Sequence, residues 1–396
     1  MEKEQYISSQ IVVFFLVWAA FTTIYITQPV LPVLQVEFGV SEAMASLSIS
    51  AVVLGIALAN LPFGILADRF SIRPIILTGG FVITACGLFC AVTTNLILLV
   101  LARFVQGLFI PSLTTCLAAY LARSLPMDRL NVVMGSYVSA TVAGGLSGRL
   151  LGGWIHPPLH WRYAFVSASV FLMAATFVAA HWLNYDKNNV EPVTGESIGF
   201  MALLKRGDLL RIYFVAFGAF FVFSSIFNYL PFYLTGPPFN ASTNVITLLY
   251  LTYIVGIVIS PVAGALSNRI GNGVSMVFGS LVFSLAIAGT FVKSLLAVAL
   301  SLTAVCAGFF TIHSAAAGLL NRRLTSSQGR ANSLYILFYY IGGYVGITAS
   351  GYLYGFTGWS GVAVLGIMVL LLPLAAGIVE MRHGKKENRT GGNGHF

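Results

Sequence analysis

From about residue 10 to residue 381 the chain is a succession of apolar runs, most of them twenty residues or longer, separated by short polar stretches. Runs of that length leave few choices of fold. A backbone in hydrocarbon must satisfy its own hydrogen bonds, so a continuous apolar run reads as a helix, whereas barrel strands would alternate in polarity. Twelve spans are readable, at roughly 10–36, 43–67, 74–94, 96–123, 130–154, 161–183, 209–235, 243–267, 273–293, 295–322, 329–355 and 359–381. Composition agrees: 58% of the 396 residues are hydrophobic and only 8% are charged, with a mean hydropathy of +0.89. No soluble globular chain of this size tolerates such a surface. The expected fold is an all-α polytopic membrane protein in contact with the lipid bilayer.

The net charge of +9 could mark a nucleic-acid surface or the positive-inside bias of membrane loops, and position decides between them. With a cytoplasmic N-terminus, every Lys and Arg except Arg103, Arg149, Arg162 and Lys293 falls in a cytoplasmic segment. Arg162 and Lys293 lie outside, while Arg103 and Arg149 lie within spans. No nucleic-acid partner is therefore expected, and an even number of spans places both termini in the cytoplasm. The location that follows is the cytoplasmic (inner) membrane, as a multi-pass protein. The start, Met-Glu-Lys-Glu-Gln, lacks a basic n-region, and the first apolar run is too long for a cleaved signal, so it stays as the first span. Cys86, Cys90, Cys116 and Cys306 sit in apolar runs without metal-ligand spacing and read as small buried hydrophobes.

The chain also repeats itself. Gly64-Ile-Leu66-Ala67-Asp68-Arg69 with Arg73 is echoed two hundred residues later by Gly264-Ala-Leu266-Ser267-Asn268-Arg269. Leu121-Ala-Arg123 answers Leu320-Asn-Arg322, and Arg129-Leu-Asn131 answers Arg330-Ala-Asn332. Two six-span halves follow, 1–183 and 209–381, joined by the polar linker 184–208 and followed by a basic tail at 382–396. Parallel repeats of this kind are a transporter plan in which substrate binds between the halves near the midplane.

The segment around Asp68 resembles the loop signature of the major facilitator superfamily, Gly-x-Leu-Ala-Asp-Arg-x-Gly-Arg-Arg. Gly64, Leu66, Ala67, Asp68, Arg69 and Arg73 match, while Ser71 replaces the second glycine and Ile72 a basic residue. In the fifth span, Gly144-x-x-x-Gly148-Arg149-Leu-Leu-Gly152-Gly153 resembles the antiporter signature Gly-x-x-x-Gly-Pro-x-x-Gly-Gly, with Arg149 in the proline position. The likeness runs along nearly the whole chain and points to the twelve-helix drug:proton antiporter-type exporters. It implies two pseudo-symmetric six-helix bundles, transport by alternating access, a small-molecule substrate, protons as the coupling ion, no cofactor and no enzymatic activity. It also implies that the glycine face of span five packs against span eight and that Arg103, in an Arg-x-x-x-Gly segment, faces a central cavity. A monomer is expected.

Several residues could carry the chemistry. Asp68 can meet the start of span eleven and Arg330, forming a gate with Arg69 and Arg73 that holds the cytoplasmic side shut; as a topology determinant it would do no gating. Gly144, Gly148 and Gly152 allow close helix approach and are gating candidates as well. Arg103 at bilayer depth must be paired or face water, so with Gln106 it either binds substrate or is satisfied by carbonyls of span one. Arg149 is a proton-coupling candidate, or a cation that snorkels from the end of its span. His313 is the first candidate for proton coupling, because histidine titrates near neutrality without help; a structural histidine is the alternative. Tyr25, Gln28, Tyr137, Asn228, Tyr229, Tyr335 and Tyr339 offer aromatic faces, amides and phenols for an amphipathic organic cargo. None of the 12 acidic residues falls in the middle of a span, which disfavours a cationic cargo exchanged at a buried carboxylate. There is no metal cluster, phosphate-binding glycine loop or His-Glu-x-x-His to support an enzyme. Importers and exporters share all these features.

Overall fold

The computed structural model describes residues 2–124, 127–183, 199–324 and 327–391; the side chains of 2–9, 68, 122–133, 135, 136 and 383–391 fall outside that description. The expected linker lies largely outside it, as does the end of the tail. Every regular element among the described residues is helical. In the first half these are α1 (Glu2–Thr22), a 3-10 turn (Gln28–Val30), α2 (Leu31–Phe38), α3 (Glu42–Arg69), α4 (Ile72–Val92), α5 (Leu96–Leu113), α6 (Thr115–Ser124), α7 (Met127–Ile155) and α8 (Trp161–Trp182). After the short α9 (Phe200–Lys205) come α10 (Gly207–Thr235), α11 (Thr243–Leu249), a 3-10 turn (Tyr250–Tyr253), α12 (Ile254–Ile270) and α13 (Asn272–Gly289). The chain closes with α14 (Leu295–Arg322), α15 (Gln328–Thr357), α16 (Trp359–Val369) and α17 (Leu371–Gly391). Among the described residues ten helical stretches are long and apolar enough to cross a membrane, and a shorter apolar helix covers Gln10–Thr22. The helix α7 stands where the fifth span is expected.

The chain groups into two compact units. The first is Met1–Gly195 with Asn228–Leu251, and the second is Glu196–Phe227 with Thr252–Phe396. The grouping passes through α10 and through the 3-10 turn after α11, so the hairpin 228–251 packs with the first unit.

Local sequence explains the helix breaks. Between α1 and α2 the segment Thr23-Ile-Tyr25-Ile-Thr27-Gln28 is rich in β-branched residues and leads into Pro29 and Pro32, which donate no backbone N–H. Pro111 likewise weakens the turn that ends α5, where Thr114 Oγ1 folds back onto the Ile110 carbonyl at 3.2 Å. Starts are capped in the ordinary way: Ser41 Oγ accepts from Met44 N before α3, and Asn95 Oδ1 from Ile97 N and Leu98 N before α5.

Glycines set the closest helix contacts. A Cβ at Gly144, Gly148 or Gly152 on α7 would collide with the carbonyl oxygens of Trp18, Thr22 and Ile26 on the first-span segment. In the second unit a Cβ at Gly342 or Gly346 on α15 would collide with the carbonyls of Phe217 and Phe221 on α10. The two ladders correspond at an offset of about two hundred residues, so the duplication read from the sequence is also a duplication of packing.

Candidate functional site

In the first unit the site begins at the break after α1. Ending that helix leaves carbonyls without N–H partners at its C-terminus, where the macrodipole is negative. Arg103 on α5 answers them. Its Nη1 donates to the Thr23 carbonyl at 2.7 Å, its Nη2 to the Ile24 carbonyl, and its Nε to the Ser48 carbonyl of α3 at 2.9 Å. Gln106 Oε1 accepts from the same guanidinium, Gln106 Nε2 donates to the Ile83 carbonyl at 3.1 Å, and the Phe165 ring lies 5.4 Å from the guanidinium carbon. Arg103 is 0% exposed. Of the two readings of this arginine the contacts match the second, satisfaction by carbonyls of the first span: Arg103 and Gln106 join the broken first helix to α3, α4 and α5.

Arg149 is placed differently. Its Nε donates to Gln28 Oε1 at 2.6 Å and its Nη1 to the Gly145 carbonyl at 2.7 Å. The guanidinium carbon lies 3.9 Å from the centre of the Tyr25 ring and 5.6 Å from that of Tyr250. A planar guanidinium suits this setting, because it stacks on aromatic faces while its edge donates. The arginine in the proline position of the signature thus brings together Tyr25 and Gln28 from the unwound segment with Tyr250 beyond α11. The glycine face beside it packs mainly on the first span rather than on the eighth, as the three carbonyl contacts show; only Gly153 meets the eighth, at Thr247.

Asn228 is 0% exposed, and its Nδ2 donates to Ser46 Oγ at 2.8 Å while its Oδ1 has no hydrogen-bond partner. Tyr229 is fully buried beside Phe232, with ring centres 6.0 Å apart. Tyr137 on α7 is hydrogen-bonded to Thr114 in the break between α5 and α6.

In the second unit His313 on α14 meets α15. The Tyr335 hydroxyl lies 2.9 Å from His313 Nδ1, and the imidazole stacks on Phe309 with centres 5.8 Å apart and planes at 13°. Tyr339 stands 5.4 Å from the same imidazole and stacks on Phe220 at 3.7 Å. His313, Tyr335 and Tyr339 are therefore neighbours in one aromatic nest, which Phe220 and Phe309 complete.

Of the expected gate, the side chain of Asp68 lies outside the described residues, and Arg69 and Arg73 are exposed. Arg330 holds its guanidinium 5.6 Å from the Phe200 ring. In the second copy, Asn268 accepts a hydrogen bond from Arg322 of its own unit. The carboxylates whose side chains are described, Glu37, Glu42, Asp208 and Glu380, all sit near span ends.

Glu37, at a span end, is a point where a proton could enter, but its partners escaped sequence reasoning. Glu37, at the end of α2, accepts from Trp161 Nε1 at 2.5 Å and from Arg162 Nη1, with His160 Nε2 3.7 Å away. Arg162 Nη2 also reaches the Thr93 carbonyl that follows α4, at 2.8 Å. Burial pushes the Glu37 carboxyl up, but the Trp161 and Arg162 donors and the charges of Arg162 and His160 outweigh it and hold it below the usual carboxylate range. His156 is likewise held below its ordinary value: burial and the nearby His160 lower it against the pull of Glu37. Tyr250, Ser46 and Phe220 were missed as well, since each lies in an apolar run without a motif, and only tertiary contact marks them.

The family model of the major facilitator superfamily matches residues 13–299 and 238–395, which together span nearly all of the chain. The chain belongs to this superfamily. Among its facilitator relatives, the Escherichia coli inner membrane transport protein YnfM is 28% identical over 363 residues, 91% of this chain and 87% of that protein. A Mycobacterium tuberculosis multidrug resistance protein B homolog is 30% identical over 168 residues, which is 42% of this chain and 30% of that one. The facilitator fold recurs in a solved bacterial homolog of the human lysosomal transporter Spinster, in its inward-facing and occupied conformation, with a TM-score of 0.77 at 14% identity over 96% of this chain and 97% of that one. This facilitator is thus a membrane transporter of a small molecule.

Proposed function

We propose that this facilitator is a secondary active transporter that exports a small organic solute by alternating access, coupled to protons, as a monomer in the inner membrane with both termini cytoplasmic. The observation that carries the proposal is Arg149, a fixed cation on Tyr25 and Gln28, in a chain whose described carboxylates all lie near span ends. Such a site favours a neutral, zwitterionic or anionic cargo over a cation. In this reading Tyr25, Gln28, Asn228, Tyr229, Tyr335 and Tyr339 orient the cargo, Tyr137 supports the first unit's contribution, and His313 carries the proton. Asp68, Arg69, Arg73 and Arg330 gate one side, and the glycine ladder carries the helix movement. Export is supported by the antiporter-like glycine segment and by the drug-resistance name of one partial relative.

The test is a proteoliposome assay with an imposed pH gradient, screening cationic, neutral and anionic solutes with the wild type, Arg149→Ala and His313→Ala. Loss of gradient-driven flux in His313→Ala and loss of anion or zwitterion flux in Arg149→Ala are expected. Robust cation flux indifferent to both substitutions would remove the cargo and coupling assignments together.

A further inference from the structure

A crevice of about 150 Å³ opens between α12, α13 and α14 in the second unit, with an almost wholly hydrocarbon lining. On α12 it is lined by Ile259, Val262 and Leu266, and on α14 by Ala307 and Thr311, with Phe278 of α13 at its edge. Val262, Leu266 and Phe278 are 56%, 40% and 56% exposed, so the crevice faces the hydrocarbon around the protein rather than its core.

Both lining stripes end in arginine. Arg269 follows Val262 by seven residues and Leu266 by three, so it continues the same face of α12 about 4.5 Å beyond Leu266. Arg322 follows Thr311 by eleven residues, three helical turns along the same face of α14 and about 16 Å away. The two side chains are exposed, and Arg322 donates to Asn268 Oδ1, which draws the end of α14 to the end of α12. Neither arginine is ion-paired with a described carboxylate; Glu380 at this end pairs with Arg323, at 2.7 Å. Beside them α13 begins at Asn272 with no side-chain cap, presenting the positive end of its dipole.

A hydrocarbon crevice continued by two guanidinium groups that no described carboxylate pairs matches one kind of occupant. We infer that this face of the second unit is a binding site for an anionic phospholipid, with an acyl chain in the crevice and the phosphate held by Arg269 and Arg322. A zwitterionic lipid would bring its own ammonium up to the two arginines along with its phosphate and so gain less from them, and a soluble anion would leave the crevice unfilled. The site is separate from the transport reading and does not depend on cargo or coupling.

Native mass spectrometry of the detergent-purified full chain tests this, with phosphatidylglycerol and phosphatidylcholine of identical acyl chains as probes. The wild type should retain phosphatidylglycerol in preference by about tenfold or more, as two guanidinium contacts imply. The preference should vanish in Arg269→Ala/Arg322→Ala and persist largely in Arg269→Lys/Arg322→Lys. Ala307→Phe, which fills the crevice and leaves both arginines, should lower retention of phosphatidylglycerol. Gel filtration and thermal melting establish that each variant is folded, and if the alanine pair is not, the lysine pair and Ala307→Phe still decide. Equal retention of the two lipids by the wild type, or a preference that survives both the alanine pair and Ala307→Phe, would overturn the site. Displacement of the lipid by soluble glycerol phosphate would also overturn it, since that ligand needs no crevice.

Discussion

Arg103 and Arg149 are both arginines inside spans, yet they have opposite surroundings. Arg103 supplies donors to the carbonyls of Thr23 and Ile24, which no backbone N–H serves, and a further donor to the Ser48 carbonyl within α3. Replacing it by Met should leave two buried acceptors, the Thr23 and Ile24 carbonyls, without a donor, at about 1–3 kcal/mol each before relaxation. Lys should rescue little, because a single ammonium lacks the planar fork that spans two helices. Thermal melting in detergent measures this; a melt unchanged by Arg103→Met, with transport lost, would return the residue to a substrate role. The Glu37 cluster offers a second residue-scale outcome. A carboxyl lowered in the folded state stabilises the fold above its unfolded value, and that contribution is lost as pH falls through the folded value. With an ordinary value of 4.5, the destabilisation caused by Glu37→Gln should be full at pH 7 and should shrink as pH falls below about 4.5. A wild-type-to-variant gap in melting temperature that is constant from pH 7 to pH 3.5 would rule out this linkage.

Between elements, the determining contact is backbone on backbone. The glycines of α7 let its axis approach the first span until Cα meets carbonyl, and α15 repeats this against α10. Gly148→Ala should therefore push the helices apart and destabilise by about 1–3 kcal/mol, an overpacking cost. Gly346→Ala should do the same in the second unit. Gly64, in the loop signature on α3, has open space where a Cβ would go, so Gly64→Ala should be neutral or gain about 0.5–1 kcal/mol from helix propensity. Equal melting temperatures for Gly64→Ala and Gly148→Ala would contradict this packing. The proline-directed break of the first span belongs to the same scale: without it the carbonyls of Thr23 and Ile24 would be bonded within the helix, and Arg103 would keep only Ser48 and Gln106.

For the whole molecule, the prediction concerns coupling. His313, on Tyr335 and Phe309, has no described carboxylate in its nest, so its substitution should uncouple rather than block the transporter. Counterflow without a gradient should persist in His313→Ala while gradient-driven accumulation falls by about a hundredfold or more, the scale of losing a positioned proton-transfer group. Persistence of both activities would move the proton elsewhere, with Asp68→Asn as the next variant to assay. The sequence by itself determined the helical membrane fold, the repeat and the family, because apolar run length and duplicated signatures are local properties that hydrocarbon solvent enforces on any such chain. It also brought forward Arg149, Gln28 and His313, since polar groups inside apolar runs are conspicuous. Only the tertiary structure decided that Arg103 closes a broken helix while Arg149 stacks on Tyr25, and that Tyr250, Ser46 and Trp161 belong to these sites. The physical reason is that an arginine in a span must find partners, and whether they are carbonyls or aromatic faces depends on which distant helices pack beside it.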